Sequence, residues 1–133
     1  MYSIENTVNY DFSISKLTFM GERDINIKIK TKLNNYTLIE SDKNFIVEIT
    51  SSAEKITIAK DAAGDATEFK NEITVDVQVF IDEEYKLGFV IVEDFIYNNN
   101  SNTIELRTYE NQIKGNLAEA AVDKITLKLA LYK

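Results

Sequence analysis

The chain has 133 residues, a formal net charge of -7 and a sequence pI near 4.6. It contains neither cysteine nor histidine, which excludes disulfides, thiolate nucleophiles, imidazole bases and the usual zinc and haem ligands. This length is enough to bury one hydrophobic core, so we predict a single domain over residues 1–133.

Alternating apolar and polar residues predict β-strands in the first part of the chain. Ile14 is followed by Leu17 and Phe19 in the opposite parity, and this slip indicates a β-bulge at Ser15–Lys16. The alternation over Ile25–Leu33 predicts a second, half-buried strand whose lysines lie on the solvent face. A short strand over residues 36–42 is a further expectation.

The middle of the chain continues with strand patterns. Phe45, Val47 and Ile49 alternate, and residues 60–70 are typical of a loop. The acidic residues of this loop lack the ligand spacing of an EF-hand, so no metal site is expected there.

The strongest strand pattern runs over Ile73–Ile81, and Asp82-Glu83-Glu84 predicts a hairpin turn after it. The segment Tyr85–Tyr97 is apolar at nearly every position. Such a run indicates a strand covered on both faces, by a helix on one side and a partner subunit on the other. A central strand of a monomer would have the same pattern.

A helix is predicted after the asparagine-rich segment. Asn102 can cap it and Glu105 can return the bond, while Glu110 and Lys114 would form a pair one turn apart. Residues 124–133 fit either a strand or a continuing helix, and their strict alternation favours the strand. The predicted fold class is α+β, an antiparallel β-sheet of four to seven strands with one or two C-terminal helices packed on it.

Catalytic constellations are scarce in this sequence. Its four glycines lie far apart, so there is no phosphate-binding loop, and a Ser-His-Asp triad is impossible without histidine. The adjacent carboxylates Glu93 and Asp94 interrupt an apolar strand, and a catalytic role would require them to be buried together in a pocket. We therefore expect no enzyme, no metal and no cofactor.

Binding through aromatic side chains is the remaining expectation. The candidate residues are Phe80, Phe89, Phe95 and Tyr97. Phe80 is distinctive because it shares the polar face of its strand, where an exposed aromatic ring can mark a contact surface.

Three segments resemble the SecB-like export-chaperone family. Phe12–Phe19 is similar to the family's opening strand, Lys86–Phe95 to its last strand with a terminal phenylalanine, and Thr103–Tyr109 to the start of its following helix. Glu93 stands where the family usually has a glycine. The resemblance implies a dimer or tetramer whose apolar grooves hold unfolded polypeptide chains, and an acidic sheet face that can meet a basic partner.

These features lead to one functional hypothesis and one alternative. The hypothesis is a non-catalytic SecB-like chaperone, or a partner-binding module, that uses apolar grooves beside the sheet and forms a homo-oligomer. Its partner would be an unfolded polypeptide or a specific protein. The alternative is a phage or prophage tail-type structural protein, or an acidic inhibitor of a host protein.

Charge and hydropathy limit the partners and the location further. The negative net charge argues against nucleic acid, and no apolar run is long enough to suggest a membrane-spanning helix. The first residues lack the basic and apolar regions of a secretory signal, so a cytoplasmic location is expected.

Overall fold

A computed structural model describes residues 10–132. The elements in chain order are strand β1 (Ser13–Gly21), helix α1 (Arg23–Leu33), strands β2 (Asn44–Lys60), β3 (Ala66–Ile81) and β4 (Glu84–Asn98), and helix α2 (Thr103–Leu131). A short 3-10 helix over Asn34–Thr37 follows α1 directly.

The four strands form one sheet in the order β1-β2-β3-β4. β1 is parallel to β2, and the other two pairs are antiparallel, so the sheet is mixed. The predicted α+β class, with a C-terminal helix packed on the sheet, is confirmed. The predicted bulge is confirmed as well, because the register of β1 against β2 shifts between Ile14 and Lys16.

Both helices pack on one face of the sheet and leave the other face uncovered within residues 10–132. The helix-side face carries the alternate residues of β2 and β3 that are fully buried, including Phe45, Val47, Val75 and Val77. We call the opposite side of the sheet the open face. The polar residues of the predicted alternation lie there, as expected for a strand with one solvated side.

The prediction of a strand over Ile25–Leu33 is wrong, because this segment is helix α1. Ile25, Ile29 and Leu33 are completely buried, whereas Ile27 is 50% exposed. The buried residues are therefore spaced by four, which is the period of a helix face. Over a segment this short, isoleucine at every second position fits the period of a strand and the period of a helix. The burial of Ile25 and Ile29 together with the exposure of Ile27 shows that the segment is a helix.

The predicted strand over residues 36–42 is also wrong. Tyr36 belongs to the 3-10 helix, where it is buried and its ring stacks on Phe12 with centroids 4.2 Å apart. The predicted loop over residues 60–70 is shorter than expected. Its turn is closed by the Asp61 carboxylate, which accepts hydrogen bonds from the backbone N–H groups of Ala63 and Asp65 at 2.9 and 3.0 Å.

The predicted hairpin between β3 and β4 is confirmed. Asp82 and Glu83 have φ angles of 51° and 70°, the left-handed pair that a two-residue type I′ turn requires. The register then shifts beside Phe80, which pairs with Tyr85 although Val79 pairs with Leu87. Tyr85 therefore shares the open face with Phe80, and their rings meet nearly edge to face at 5.7 Å.

The predicted cap of α2 is confirmed, and the predicted strand at its end is wrong. The Asn102 side chain accepts hydrogen bonds from the N–H groups of Ile104 and Glu105, each at 3.1 Å. The Glu105 carboxylate does not return a bond to the cap but accepts one from the side chain of Asn100. The helix continues to Leu131, so the alternation in its last turns does not mark a strand.

Candidate functional site

Strand β4 forms one edge of the sheet, and within the described chain only β3 pairs with it. An edge strand presents a row of unpaired N–H and C=O groups, and proteins usually protect such edges with lysine, proline or short strands. β4 is 15 residues long and has one lysine and no proline. It also carries three acidic residues and a register shift near Tyr85, so its protection is limited to a few positions and the stretch Leu87–Val92 has no charge.

The same strand exposes large apolar side chains on both faces of the sheet. Five of them are between 46% and 57% exposed: Tyr85, Val90, Val92, Phe95 and Ile96. Within residues 10–132, α2 packs on one face of β4 and the open face is uncovered, so cover by a partner subunit stays a prediction. The alternative of a central strand is wrong, because β4 lies at the edge of the sheet. An apolar edge of this kind is either a docking surface or a site of aggregation.

An aromatic groove lies between the end of β4 and the first half of α2. Phe95, Tyr109, Gln112, Ile113, Asn116 and Leu117 line a cavity of about 190 Å³. Phe95 and Tyr109 also border a wider concavity of about 710 Å³ that extends along Asn98–Ser101. The groove is open beside the β4 edge and offers two amide side chains, Gln112 and Asn116, as hydrogen-bonding groups.

A polar cluster between the sheet and α2 forms the floor of this region. The buried Tyr97 hydroxyl donates a short hydrogen bond to the Glu110 carboxylate, which is also paired with Lys55 at 2.9 Å. The Lys55 ammonium lies over the ring of Phe69, 4.1 Å from its centroid. The sequence predicts Lys114 as the ion-pair partner of Glu110, but the partner is Lys55. The cluster connects α2 to β2, β3 and β4.

The charges of this cluster perturb two acid groups. Burial raises the pKa of Tyr97 well above its ordinary value, and the hydrogen bond to Glu110 and its charge raise it further. Burial also raises the pKa of Glu110, but hydrogen bonds from Lys55 and Tyr97 and the positive charges of Lys55 and Lys114 outweigh that effect. The net result is a lowered pKa of Glu110, so the carboxylate is ionised and bonded at neutral pH.

The four predicted binding residues do not form one site. Phe95 lies in the groove, and the buried Tyr97 lies beneath it, with its ring 6.0 Å from that of Tyr109. Phe89 is half-buried on the helix side under the ammonium of Lys128. Phe80 lies on the open face against Tyr85, on the polar side of β3 as the sequence indicates.

Sequence reasoning missed the contribution of α2 to the groove. Tyr109, Gln112 and Asn116 recur at spacings of three and four, which places them on one stripe of the helix. Two amides beside a tyrosine on the flank of an apolar helix face were a usable signal. That this stripe faces the sheet edge follows only from the packing.

An acidic row crosses the open face, and its three residues were not identified from the sequence. Glu54 pairs with Glu72 across β2 and β3, and Glu72 pairs with Asp94 across β3 and β4. These three carboxylates, the acidic row, therefore stand side by side on neighbouring strands. Only the strand register brings them together, since they lie far apart in the sequence.

The adjacent carboxylates Glu93 and Asp94 do not form a catalytic pair. Glu93 faces the helix side and is paired with Lys124 at 2.5 Å, whereas Asp94 is exposed on the open face. Among residues 10–132 no group of three acidic side chains has a metal-binding arrangement.

The fold has relatives among solved structures. A minor lipoprotein from Acinetobacter baumannii matches with a TM-score of 0.63 at 11% identity, covering 93% of each chain. Rare lipoprotein B from Shewanella oneidensis matches with a TM-score of 0.59 at 11% identity, over 85% of this chain and 95% of that one. The fold is that of these bacterial lipoproteins. At such low identity the likeness concerns the fold alone.

A further match is lipoprotein B from Nitrosomonas europaea, with a TM-score of 0.58 at 10% identity over 92% of this chain and 84% of that one. No protein-family model and no curated protein matches the sequence.

Two sequence-based expectations are corrected by these matches. The resemblance to SecB-like export chaperones is wrong, because the similar structures named above are lipoproteins and not SecB proteins. The expected cytoplasmic location is wrong by the same comparison. In the described part of the chain, neither helix has the length and hydropathy needed to cross a membrane.

Proposed function

We propose that the chain is a non-catalytic binding protein that takes up an extended segment of a partner protein along β4. The observation that carries this proposal is the long edge of β4 with exposed apolar side chains on both faces. An added strand would pair with the free backbone groups, and its side chains would alternate between the two faces of the sheet. One set would cover Val90 and Val92, and the other would point toward the aromatic groove at Phe95.

The expected affinity is moderate. Burying a Val or Ile side chain completely is worth about 1.5–3 kcal/mol, so covering the exposed halves of Val90, Val92 and Ile96 contributes about 3 kcal/mol. The cost of ordering a flexible segment offsets much of this gain, and backbone pairing and the groove supply the rest. A dissociation constant in the micromolar range is the expectation for a short peptide.

A non-catalytic role is supported by the arrangement of the acidic residues. Glu93 and Asp94, the pair that would have indicated catalysis, lie on opposite faces of the sheet. The groove contributes amides and aromatic rings, which can bind and orient a ligand.

The proposal is tested with a synthetic peptide of palindromic pattern, acetyl-Thr-Val-Thr-Val-Ser-Cit-Ser-Val-Thr-Val-Thr-amide, where Cit is uncharged citrulline. The pattern presents the same side chains to β4 in either strand direction. Fluorescence anisotropy of the labelled peptide measures binding to the wild-type chain, to Val92→Lys and to the control Leu38→Lys. Leu38 is 79% exposed in a loop, so its variant adds the same charge outside the edge.

We expect saturable binding by the wild type and the control, and at least about tenfold weaker binding by Val92→Lys. A second peptide, N-methylated at alternate residues, lacks the backbone donors for strand pairing and is expected not to bind. Equal binding of both peptides would contradict strand addition. No saturable binding up to about 1 mM, either of the first peptide or of versions with a charged residue at its centre, would contradict the proposed function as a whole.

Self-association through β4 is one form of this binding and stays a prediction. A charge of -7 on each copy opposes it at low ionic strength. Sedimentation of the wild type and Val92→Lys at low and high salt distinguishes a homo-oligomer from a protein that awaits a different partner. An oligomer dissolved by Val92→Lys would identify the second copy as the occupant of β4.

A further inference from the structure

The carboxylates of the acidic row repel one another, and the cations of residues 10–132 balance them only in part. Like charges directly opposite each other on neighbouring strands destabilise a sheet, and the row places two such pairs in succession, Glu54 with Glu72 and Glu72 with Asp94. Lys70 lies 3.6 Å from the Glu72 carboxylate. Within residues 10–132, no lysine or arginine forms an ion pair with Glu54 or Asp94.

The row ends at the free edge of β4. Asp94 is its outermost carboxylate, and the neighbouring open-face positions of the same strand are the exposed Val92 and Ile96. A strand added to β4 would therefore place one side chain beside Asp94 and apolar partners beside Val92 and Ile96. The pattern that this edge presents is apolar, acidic, apolar at two-residue intervals.

We infer that the segment taken up by β4 is a basic one, with an arginine or lysine beside Asp94 and apolar residues two positions away on either side. This inference rests on the proposed function and specifies its partner. The cation would extend the row onto a fifth strand and balance the Asp94 carboxylate, which no lysine or arginine among residues 10–132 pairs. The net charge of the chain favours the same partner, since it attracts basic segments over long range.

Neither edge strand of a second copy fits this requirement, since Lys16 of β1 has Ile14 two positions before it but the polar Thr18 two positions after it. β4 contains one cation, Lys86, and its ammonium is already paired with Glu84 at 3.2 Å. The copy would also bring its own Asp94 to the interface. The complementary occupant is therefore a different polypeptide with the stated basic and apolar alternation.

The test uses three peptides that differ only at the central position of the palindromic sequence. Arginine is compared with citrulline, which has nearly the same shape without the charge, and with glutamate. Anisotropy at low salt measures their binding to the wild type, to the double variant Glu72→Gln/Asp94→Asn and to Glu40→Gln. Glu40 is exposed in the loop before β2, so its variant changes the net charge away from the row.

The wild type is expected to bind the arginine peptide about two- to fivefold more tightly than the citrulline peptide, and the glutamate peptide least tightly. The preference for arginine should disappear in the double variant and persist in Glu40→Gln. Equal binding of the arginine and citrulline peptides by the wild type would overturn this inference and leave the proposed function standing. Failure of all three peptides would overturn both.

The folding of the double variant is checked independently. Removing two of the three like charges should raise its free energy of unfolding above that of the wild type at low salt, and added salt should reduce the difference. A lower free energy of unfolding would show that the row is stabilised by contacts within the chain, which also overturns the inference.

Discussion

Replacing Gly21 with alanine should cost much more stability than the same change at Gly64. Gly21 ends β1 at φ +100°, where a Cβ atom would lie 2.9 Å from the backbone carbon and nitrogen of Ser51 and closer still to its carbonyl oxygen. Gly64 has a similar φ of +89°, but a Cβ there would meet nothing within 4 Å. The pair thus separates backbone strain from steric conflict.

The magnitudes follow from these surroundings. An L-residue at positive φ costs about 1–2 kcal/mol, which is the whole effect expected for Gly64→Ala. Gly21→Ala must also push β1 away from β2, and this movement strains the hydrogen bond from the Glu22 N–H to the Ser51 carbonyl, 3.1 Å long. That bond is worth about 1 kcal/mol and the loosened packing about 1 more, so the total is about 3–4 kcal/mol.

Urea unfolding followed by circular dichroism gives both free energies. Gly21→Ala should unfold at clearly lower urea than Gly64→Ala, with the same dependence on urea concentration. Two variants of equal stability would refute the steric argument, because they would show that β1 and β2 can separate at no cost.

Three other changes test further parts of the structure. The pKa of Glu110 is lowered in the folded chain, so its ionised carboxylate stabilises the fold at pH values above the ordinary pKa of 4.5, and this effect is lost as the pH falls. Glu110→Gln should therefore reduce the dependence of the unfolding free energy on pH in the acid range. An unchanged dependence would contradict the ion pair with Lys55. Asn102→Ala should cost about 1 kcal/mol in urea unfolding through loss of the helix cap, and no loss would show that the cap is dispensable. Ile125→Ala should cost about 2–5 kcal/mol and Leu127→Ala less than about 1, because only the first is buried; equal costs would favour a strand at the end of the chain.

Prediction from this sequence fails where the same apolar residues fit both the period of a strand and the period of a helix. Ile25, Ile29 and Leu33 are separated by even numbers, so they satisfy a strand and a helix equally, and Ile27 between them suggests the strand. The last turns of α2 mislead in the same way, since Leu127 and Leu131 complete an alternation although both are exposed. In each case the helix is stabilised by packing on the sheet, which a local pattern does not contain.

Local chemistry predicted the turns and caps well. Two acidic residues at the β3–β4 turn, the parity slip in β1 and the capping asparagine before α2 each follow from a few neighbouring residues. The candidate site, in contrast, could not be predicted from neighbouring residues. Its groove joins Phe95 to Tyr109, and its acidic row joins Glu54 to Asp94, so it depends on the strand register and on the approach of α2.

The order of elements has a consequence for synthesis on the ribosome. The meander β2–β3–β4 is joined by short turns and can form early, whereas α2 emerges after these strands. Until it does, the helix-side surface of the sheet lacks the cover that Ile113, Leu117, Ile125 and Leu129 later provide. The nascent chain therefore passes through a stage in which α1 alone covers the helix-side face, and release of the chain before residue 103 would leave a product prone to aggregation.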